Sequence, residues 1–367
     1  MDINTALSGK ELYMSIQQYT AGESLLLQAG NLAELVTNKQ YELQPDLLQR
    51  FGDNGKEKTK QDSIYSLNYL AESVIVNSPI LFTQYVSWLQ KLLQGFGITQ
   101  EDLTTNFRLI QETLKEHFHH PDKSMVLENL DLGIQQIGKR EEYTSFITND
   151  NPLAADVGQY LEYLLAGSRR QAMDCIVRLM DEGTSIRHIY KYIFQISQYE
   201  IGRLWHEGKI TIGQEHFCTA ATQFIISTLY PRWLVSGHPG RSLVAACVSS
   251  EQHEIGLRML ADLFEMEGWD TYYLGANVPN RSLLQEIVNY KADVVAISAT
   301  MAYHVHLVKD LITLIRQNSA TSHVRIMVGG LPFNLDPRLW QEVGADGCAP
   351  GAEEALEVAE HLLSSRV

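Results

Sequence analysis

The chain has 367 residues, enough for two or three compact units that each bury their own core. It carries 29 Lys plus Arg against 44 Asp plus Glu, a formal net charge of -15, which repels a phosphate backbone and argues against direct nucleic-acid binding. No stretch approaches the ~18 uncharged apolar residues that a membrane span needs, and the opening MDINTALSGKELYMS shows no basic segment followed by an apolar run. A soluble, cytoplasmic protein with no membrane contact is expected.

From about Glu11 to Glu142 apolar residues recur at three- and four-residue spacing, as in SIYSLNYLAESV, ILFTQYVSWLQKLL and NFRLIQETLKEHF, which predicts an all-helical domain over residues 1–150. Within it GDNGKEKTKQD, residues 52–62, reads as an exposed loop, and TNDNP, residues 148–152, has the turn chemistry of a domain boundary. His117, His119 and His120 cluster at a helix end before a proline, where solvated side chains without a ligand role are expected.

Residues 151–236 hold four amphipathic segments with short connections: VGQYLEYLLAG, RRQAMDCIVRLMDEG, IRHIYKYIFQISQYEIGRLWHEG and EHFCTAATQFIISTLYPRW. They predict a four-helix bundle. After SGHPGR the period changes, and SLVAACVS, DTYYLG, ADVVAISA and RIMVGG alternate with helical stretches. Residues 237–367 are therefore expected to form an α/β domain with a parallel sheet. The four cysteines, Cys175, Cys218, Cys247 and Cys348, are scattered and form no CxxC pair, so neither a disulfide framework nor a zinc site is supported.

The chemistry gathers at strand ends. LVAACVSS runs into Glu251-Gln252-His253-Glu254-Ile255-Gly256, an ExHxxG loop at the carboxyl end of a strand, where open α/β sheets bind ligands. Ser298 begins the SAT that ends ADVVAI, and Gly329-Gly330 ends RIMV. A neutral imidazole is a good metal ligand, a neighbouring carboxylate orients it, and glycines let backbone approach a bulky group. This spacing resembles the cobalamin-binding family of methionine synthase, methylmalonyl-CoA mutase and corrinoid carrier proteins, whose pattern is DxHxxG, SxL and GG. The resemblance implies a Rossmann-like domain that buries the nucleotide tail, with His253 as the lower axial ligand to cobalt, Glu251 and Gly256 in its loop, and Ser298, Thr300, Gly329 and Gly330 lining the tail pocket. Two positions depart from the pattern: Glu251 stands for Asp and Thr300 for Leu, leaving the geometry behind His253 open.

A second pattern lies in the bundle. Trp205 is followed, after nine residues, by Glu215-His216, with His206 directly after the Trp. This resembles light-sensing B12 proteins of the CarH and LitR kind, and implies that Trp205 and Glu215 cap the upper face of adenosylcobalamin, supported by His216. It also implies that His206 moves onto cobalt once light has broken the cobalt–carbon bond.

The function expected from these resemblances is a cobalamin-dependent light sensor, a non-enzymatic protein that forms a homo-oligomer and signals to a protein partner. The alternative is a corrinoid methyl carrier of a methyltransferase system, since such carriers share the bundle and α/β layout. The N-terminal helices resemble a globin-related sensory domain of the photocobilin type, which implies a bilin such as biliverdin. Binding there would be non-covalent, because no cysteine precedes Cys175. A helical dimerisation or partner-docking domain is an equal reading. Tyr303, His304 and His306 follow Ser298 closely, and surface positions are expected for them.

Overall fold

The computed structural model describes residues 19–139, 144–233 and 240–364. The expectations for residues 1–18 and for the boundary at 236/237 lie outside the described residues. The chain divides into two compact units: Met1–Arg140 with Met301–His306 and Leu335–Leu339, and Glu141–Thr300 with Leu307–Asn334 and Trp340–Val367.

The first unit is helical: α1 (Ala21–Leu43), α2 (Asp46–Ile75), α3 (Pro79–Gly95), α4 (Gln100–His117) and α5 (Lys123–Gln136). Thr20 with Glu23 and Thr99 with Asp102 form capping boxes that satisfy the free N–H groups starting α1 and α4. Leu25, Ala29, Leu32, Ala33 and Val36 are all buried at three- and four-residue spacing, so α1 lays one stripe on the core.

Two sequence expectations fail here. Residues 52–62 form a helix rather than a loop. Gly52 breaks α2 at φ 64°, ψ -169°, and the helix then resumes. The charges that suggested a loop are a solvated helix face built from good helix formers, with Lys60 paired to Glu34 at 3.1 Å. His120 is not solvated either: its side chain is 5% exposed. Its Nε2 lies 3.1 Å from the Tyr19 carbonyl, its Nδ1 accepts the Asp122 N–H, and its ring stacks on Phe118.

The second unit begins with the predicted helices: α6 (Ala154–Leu165), α7 (Arg169–Asp181), α8 (Ile186–Ile189), α9 (Ile196–His206) and α10 (Ile212–Leu229). Tyr190–Gln195 joins α8 to α9 as a π-helical stretch, so the third predicted segment is one helical run with an extra residue in its turn. This helical cap shares its core with α11 (Ile255–Met266), which contributes Ile255, Met259 and Leu263.

The sheet comprises β1 (Ser242–Cys247), β2 (Asp270–Gly275), β3 (Val294–Ser298), β4 (Arg325–Gly329) and β5 (Gly347–Cys348), all parallel in the order β2-β1-β3-β4-β5. The crossovers carry α11, α12 (Asn280–Asn289), α13 (Val305–Gln317), α14 (Leu331–Leu335) and α15 (Leu339–Glu342), and α16 (Ala352–Ser364) follows β5. Every residue of β1 is buried, as a central strand covered on both faces requires. Strand order reverses between β1 and β3, which opens a ligand crevice at their carboxyl ends.

Candidate functional site

The loop after β1 is shaped before any ligand is considered. Ser250 adopts φ 69°, and its N–H donates to Asn277 Oδ1 at 2.7 Å, while the Asn277 N–H donates to the Glu251 carbonyl at 2.9 Å. These bonds turn the chain so that Glu251 is fully buried. Its Oε1 accepts the N–H groups of Gln252 and His253, each at 3.0 Å, and lies 2.5 Å from His253 Nδ1. Its Oε2 accepts the Thr300 N–H at 2.7 Å, tying the β1 loop to the end of β3. The longer reach of Glu over Asp thus serves both loops.

Engaging Nδ1 with a carboxylate turns Nε2 to the other side of the ring, on a side chain that is 57% exposed, the arrangement that suits an imidazole offered to a ligand. The hydrogen bond to Glu251 raises the His253 pKa above its ordinary value, and the charges of Glu251 and Glu215 add to the effect against partial burial. The influence of Glu215 places a cap carboxylate within electrostatic range of the imidazole.

The other strand ends line the same crevice. Ser298 pairs in register with Gly329 and closes β3. Its neighbour Cys247, pushed up to about 12 by burial, is a protonated thiol. Gly330 sits at φ +113°, and a Cβ there would lie 2.0 Å from the Ala299 carbonyl oxygen, so no other residue fits. Gly329 is less constrained, since its Cβ would meet Ala349 at an ordinary 3.6 Å, and a Cβ on Gly256 would meet nothing within 4 Å. Thr300 takes part through its backbone N–H.

In the cap, Trp205 is half-buried near the end of α9 and Glu215 lies in the first turn of α10. Glu215 Oε2 is 2.5 Å from His216 Nδ1, and its Oε1 accepts from Thr219 Oγ1 at 3.0 Å. His216 is exposed, whereas His206 is only 5% exposed, buried in the last turn of α9. Tyr303 and the two histidines after it belong to the first unit and are not on the surface. Tyr303 packs edge-on against Tyr69, His304 is 3% exposed, and His306 Nδ1 lies 2.5 Å from the buried Glu72.

Glu254 was not picked out by sequence, although an acid directly after the histidine was the available signal. Its Oε1 accepts from Gln223 Nε2 on α10 at 2.7 Å, and its Oε2 accepts from the Tyr273 hydroxyl at 2.8 Å and the Ala276 N–H at 3.0 Å.

Comparison with known proteins agrees with this geometry. Residues 157–230 and 241–360 each match a B12 binding domain family. Dimethylamine corrinoid protein 1 of Methanosarcina acetivorans is 26% identical over 171 residues, covering 45% of this chain and 78% of that protein. Dimethylamine corrinoid protein 3 of Methanosarcina mazei is 26% identical over 171 residues, covering 45% of this chain and 99% of that protein. A corrinoid protein of Desulfitobacterium hafniense is 24% identical over 168 residues, covering 44% and 76%. The structure of the Methanosarcina barkeri monomethylamine corrinoid protein superposes with a TM-score of 0.52 at 19% identity, covering 57% of this chain and 99% of that one, and supports the fold.

These relatives overturn the light-sensor expectation. All are corrinoid proteins, three of them named for methylamines, and they favour the methyl-carrier alternative. The Trp205–Glu215 spacing misled because a half-buried Trp and an acid in the first turn of a helix also satisfy ordinary cap packing and the helix dipole. Among the described residues no helix is long and apolar enough to cross a membrane. The second unit therefore carries two B12 binding domains, a helical cap and a Rossmann-like sheet domain, and is a cobalamin-binding unit.

Proposed function

We propose that the chain is a corrinoid methyl carrier, holding cobalamin in the crevice of the second unit and passing a methyl group between two methyltransferases. The observation that carries this reading is the Glu251–His253 pair at the carboxyl end of β1, with Nε2 left to ligate. The residues fit the cofactor: His253 would hold the cobalt through Nε2, and the side-chain-free cradle at Gly330, beside the Ser298 strand end, would receive the nucleotide tail. When bound, cobalamin would supply a cobalt able to take up and give up a methyl group. The protein would orient the imidazole through Glu251 and cover the crevice with the helical cap. In this assignment residues 151–236 are the cap, 237–367 the cofactor domain and 1–150 a docking domain. Methyltransferases replace the expected signalling partner, and the relatives' names make a methylamine the natural methyl source.

The test is reconstitution with hydroxocobalamin, followed by reduction and addition of methyl iodide. The expected result is stoichiometric cobalamin, stoichiometric methyl uptake, and return of the methyl to a thiol when a corrinoid methyltransferase is added. Binding without methyl exchange overturns the carrier reading, and absence of binding overturns the site. The adenosyl expectation rests on Trp205 and Glu215, so competition between methylcobalamin and adenosylcobalamin for the apoprotein decides the upper ligand. Sedimentation of the holoprotein decides the homo-oligomer.

A non-covalent bilin such as biliverdin is a second reading for the first unit, and it rests on the helical resemblance alone. Burial pushes the Asp62 carboxyl up to about 6. On the same helix, α2, Tyr69 stacks on Tyr85, which also packs against Trp88; both tyrosines are core residues, at 7% and 4% exposure. Titration with biliverdin that leaves its absorption unchanged removes this reading.

A further inference from the structure

Glu254 occupies the N-cap position of α11, yet its side chain does not cap that helix. Its carboxylate is spent instead on three donors from two other elements: Gln223 in the cap, and Tyr273 and Ala276 at the end of β2. Gly275 permits the approach, since a Cβ there would come within 3.1 Å of Glu254 Oε2 and the backbone stands at φ +83°. The cap side of the bond is held twice. The Gln223 carbonyl accepts from Arg258 Nη1 at 3.4 Å, and Ser227, one turn along α10, accepts from Arg258 Nη2 at 2.8 Å.

One cap residue is therefore bonded directly to the residue that follows the ligating histidine. A charge-assisted bond of 2.7 Å fixes the carboxylate more firmly than a neutral bond would, and Glu254 shares a short loop with Glu251 and His253. We propose that Glu254 is a positioning residue that couples seating of the cap to ligation by His253. While α10 is seated, Gln223 completes the donor set of Glu254 and the loop holds the imidazole in its ligating pose. When the cap lifts to admit a methyltransferase, that donor is lost and the loop relaxes. An imidazole that can be released in this way suits a cobalt whose axial ligands change during methyl carriage. This inference rests on the cobalamin reading above and adds to it a specific link between the two B12 domains.

The link is tested by exchanging the roles of donor and acceptor. Gln223→Glu sets two carboxylates against each other and breaks the bond. Adding Glu254→Gln restores one donor and one acceptor, while the new carboxamide oxygen still accepts from Tyr273 and Ala276. Two readouts are followed at fixed pH: the visible spectrum of bound methylcobalamin, which reports imidazole ligation, and amide hydrogen exchange at Gln252 and His253 without cofactor.

The single variant should lower the ligated-to-unligated ratio about tenfold and speed exchange at both amides by about the same factor, within the range expected for groups behind a metal ligand. The double variant should return both to within about twofold of wild type. Unchanged ligation and exchange in the single variant overturn the coupling, as does a folded double variant that fails to recover. Should the single variant not fold, Gln223→Leu is read in the same way. Wild-type protein that binds no methylcobalamin defeats the cobalamin reading instead, and exchange in the cofactor-free protein still decides the Glu254 link.

Discussion

Two carboxylate–imidazole pairs in this molecule share one geometry and differ in everything else. Glu251 accepts both the N–H and Nδ1 of His253, and Glu72 accepts both the N–H and Nδ1 of His306, each pair with a 2.5 Å side-chain contact. Both carboxylates are sealed from water, at 0% and 1% side-chain exposure. Yet the His253 side chain is 57% exposed and that of His306 only 27%. In the first pair the partners are two residues apart, in the second 234. The same bond therefore holds a largely exposed imidazole in one place, and in the other joins two distant chain segments of the first unit. Chemistry alone does not separate a candidate site from a staple; the exposure of the imidazole side chain does.

The largest expected effect lies on the staple. Glu72→Ala leaves His306 without its buried partner and should cost about 3–5 kcal/mol, read as a lowered urea midpoint for the first unit. Glu251→Gln keeps the side chain's size and one of its two acceptor oxygens, and should cost less stability. Equal losses would erase the distinction between the two pairs.

Gly330→Ala comes next and sharpens the site half of the comparison. The forbidden φ and the Ala299 oxygen should together cost at least ~2 kcal/mol, whereas Gly256→Ala, with open space around it, should change stability little. Thermal unfolding of both variants checks this, and a tolerated Gly330→Ala would mean that the crevice is looser than described.

For Glu251→Gln itself the effect belongs in binding. Losing the charge behind Nδ1 makes His253 a weaker ligand, and cobalamin affinity should fall about 10–100-fold, measured by equilibrium dialysis against the parent. Affinity unchanged by this variant but abolished by Glu72→Ala would invert the assignment.

The smallest effect is a control outside both pairs. Asp262 accepts from the Tyr190 hydroxyl at 2.8 Å, and burial pushes its carboxyl up to about 6. Its folded pKa lies above the unfolded one, so the folded state holds the proton more tightly. For this group stability rises as pH falls from 7 towards 4, and the penalty is full above about 6. Asp262→Asn should therefore stabilise the protein at pH 7.5 by roughly 1–2 kcal/mol after screening by water, and flatten the stability profile between about pH 4 and 6. A destabilised variant at pH 7.5 would show instead that the Tyr190 bond needs the charge.

Much of the second unit was legible in the sequence because its signals are local. Strands β1 to β4 announce themselves as short apolar runs, and the cap helices by periodicity. Glu251 and His253 are close enough for a motif to contain both. β5 was missed because two residues carry no period. The charged stretch after Gly52 was misread because a solvated helix face and a polar loop have the same composition. The light-sensing assignment failed for a related reason: Trp205 and Glu215 are spaced by a turn between helices that many caps require.

The sequence by itself determined the parallel sheet and the helical cap, and it marked the Glu251–His253 loop as the candidate site, since each signal depends on residues within a few positions of one another. Only the tertiary structure decided that Glu251 also holds the Thr300 backbone, that Glu254 reaches Gln223, and that His306 belongs to Glu72. Those bonds join residues 49, 31 and 234 positions apart, and a side chain's choice among distant partners is settled by which backbone segments the folded core brings together.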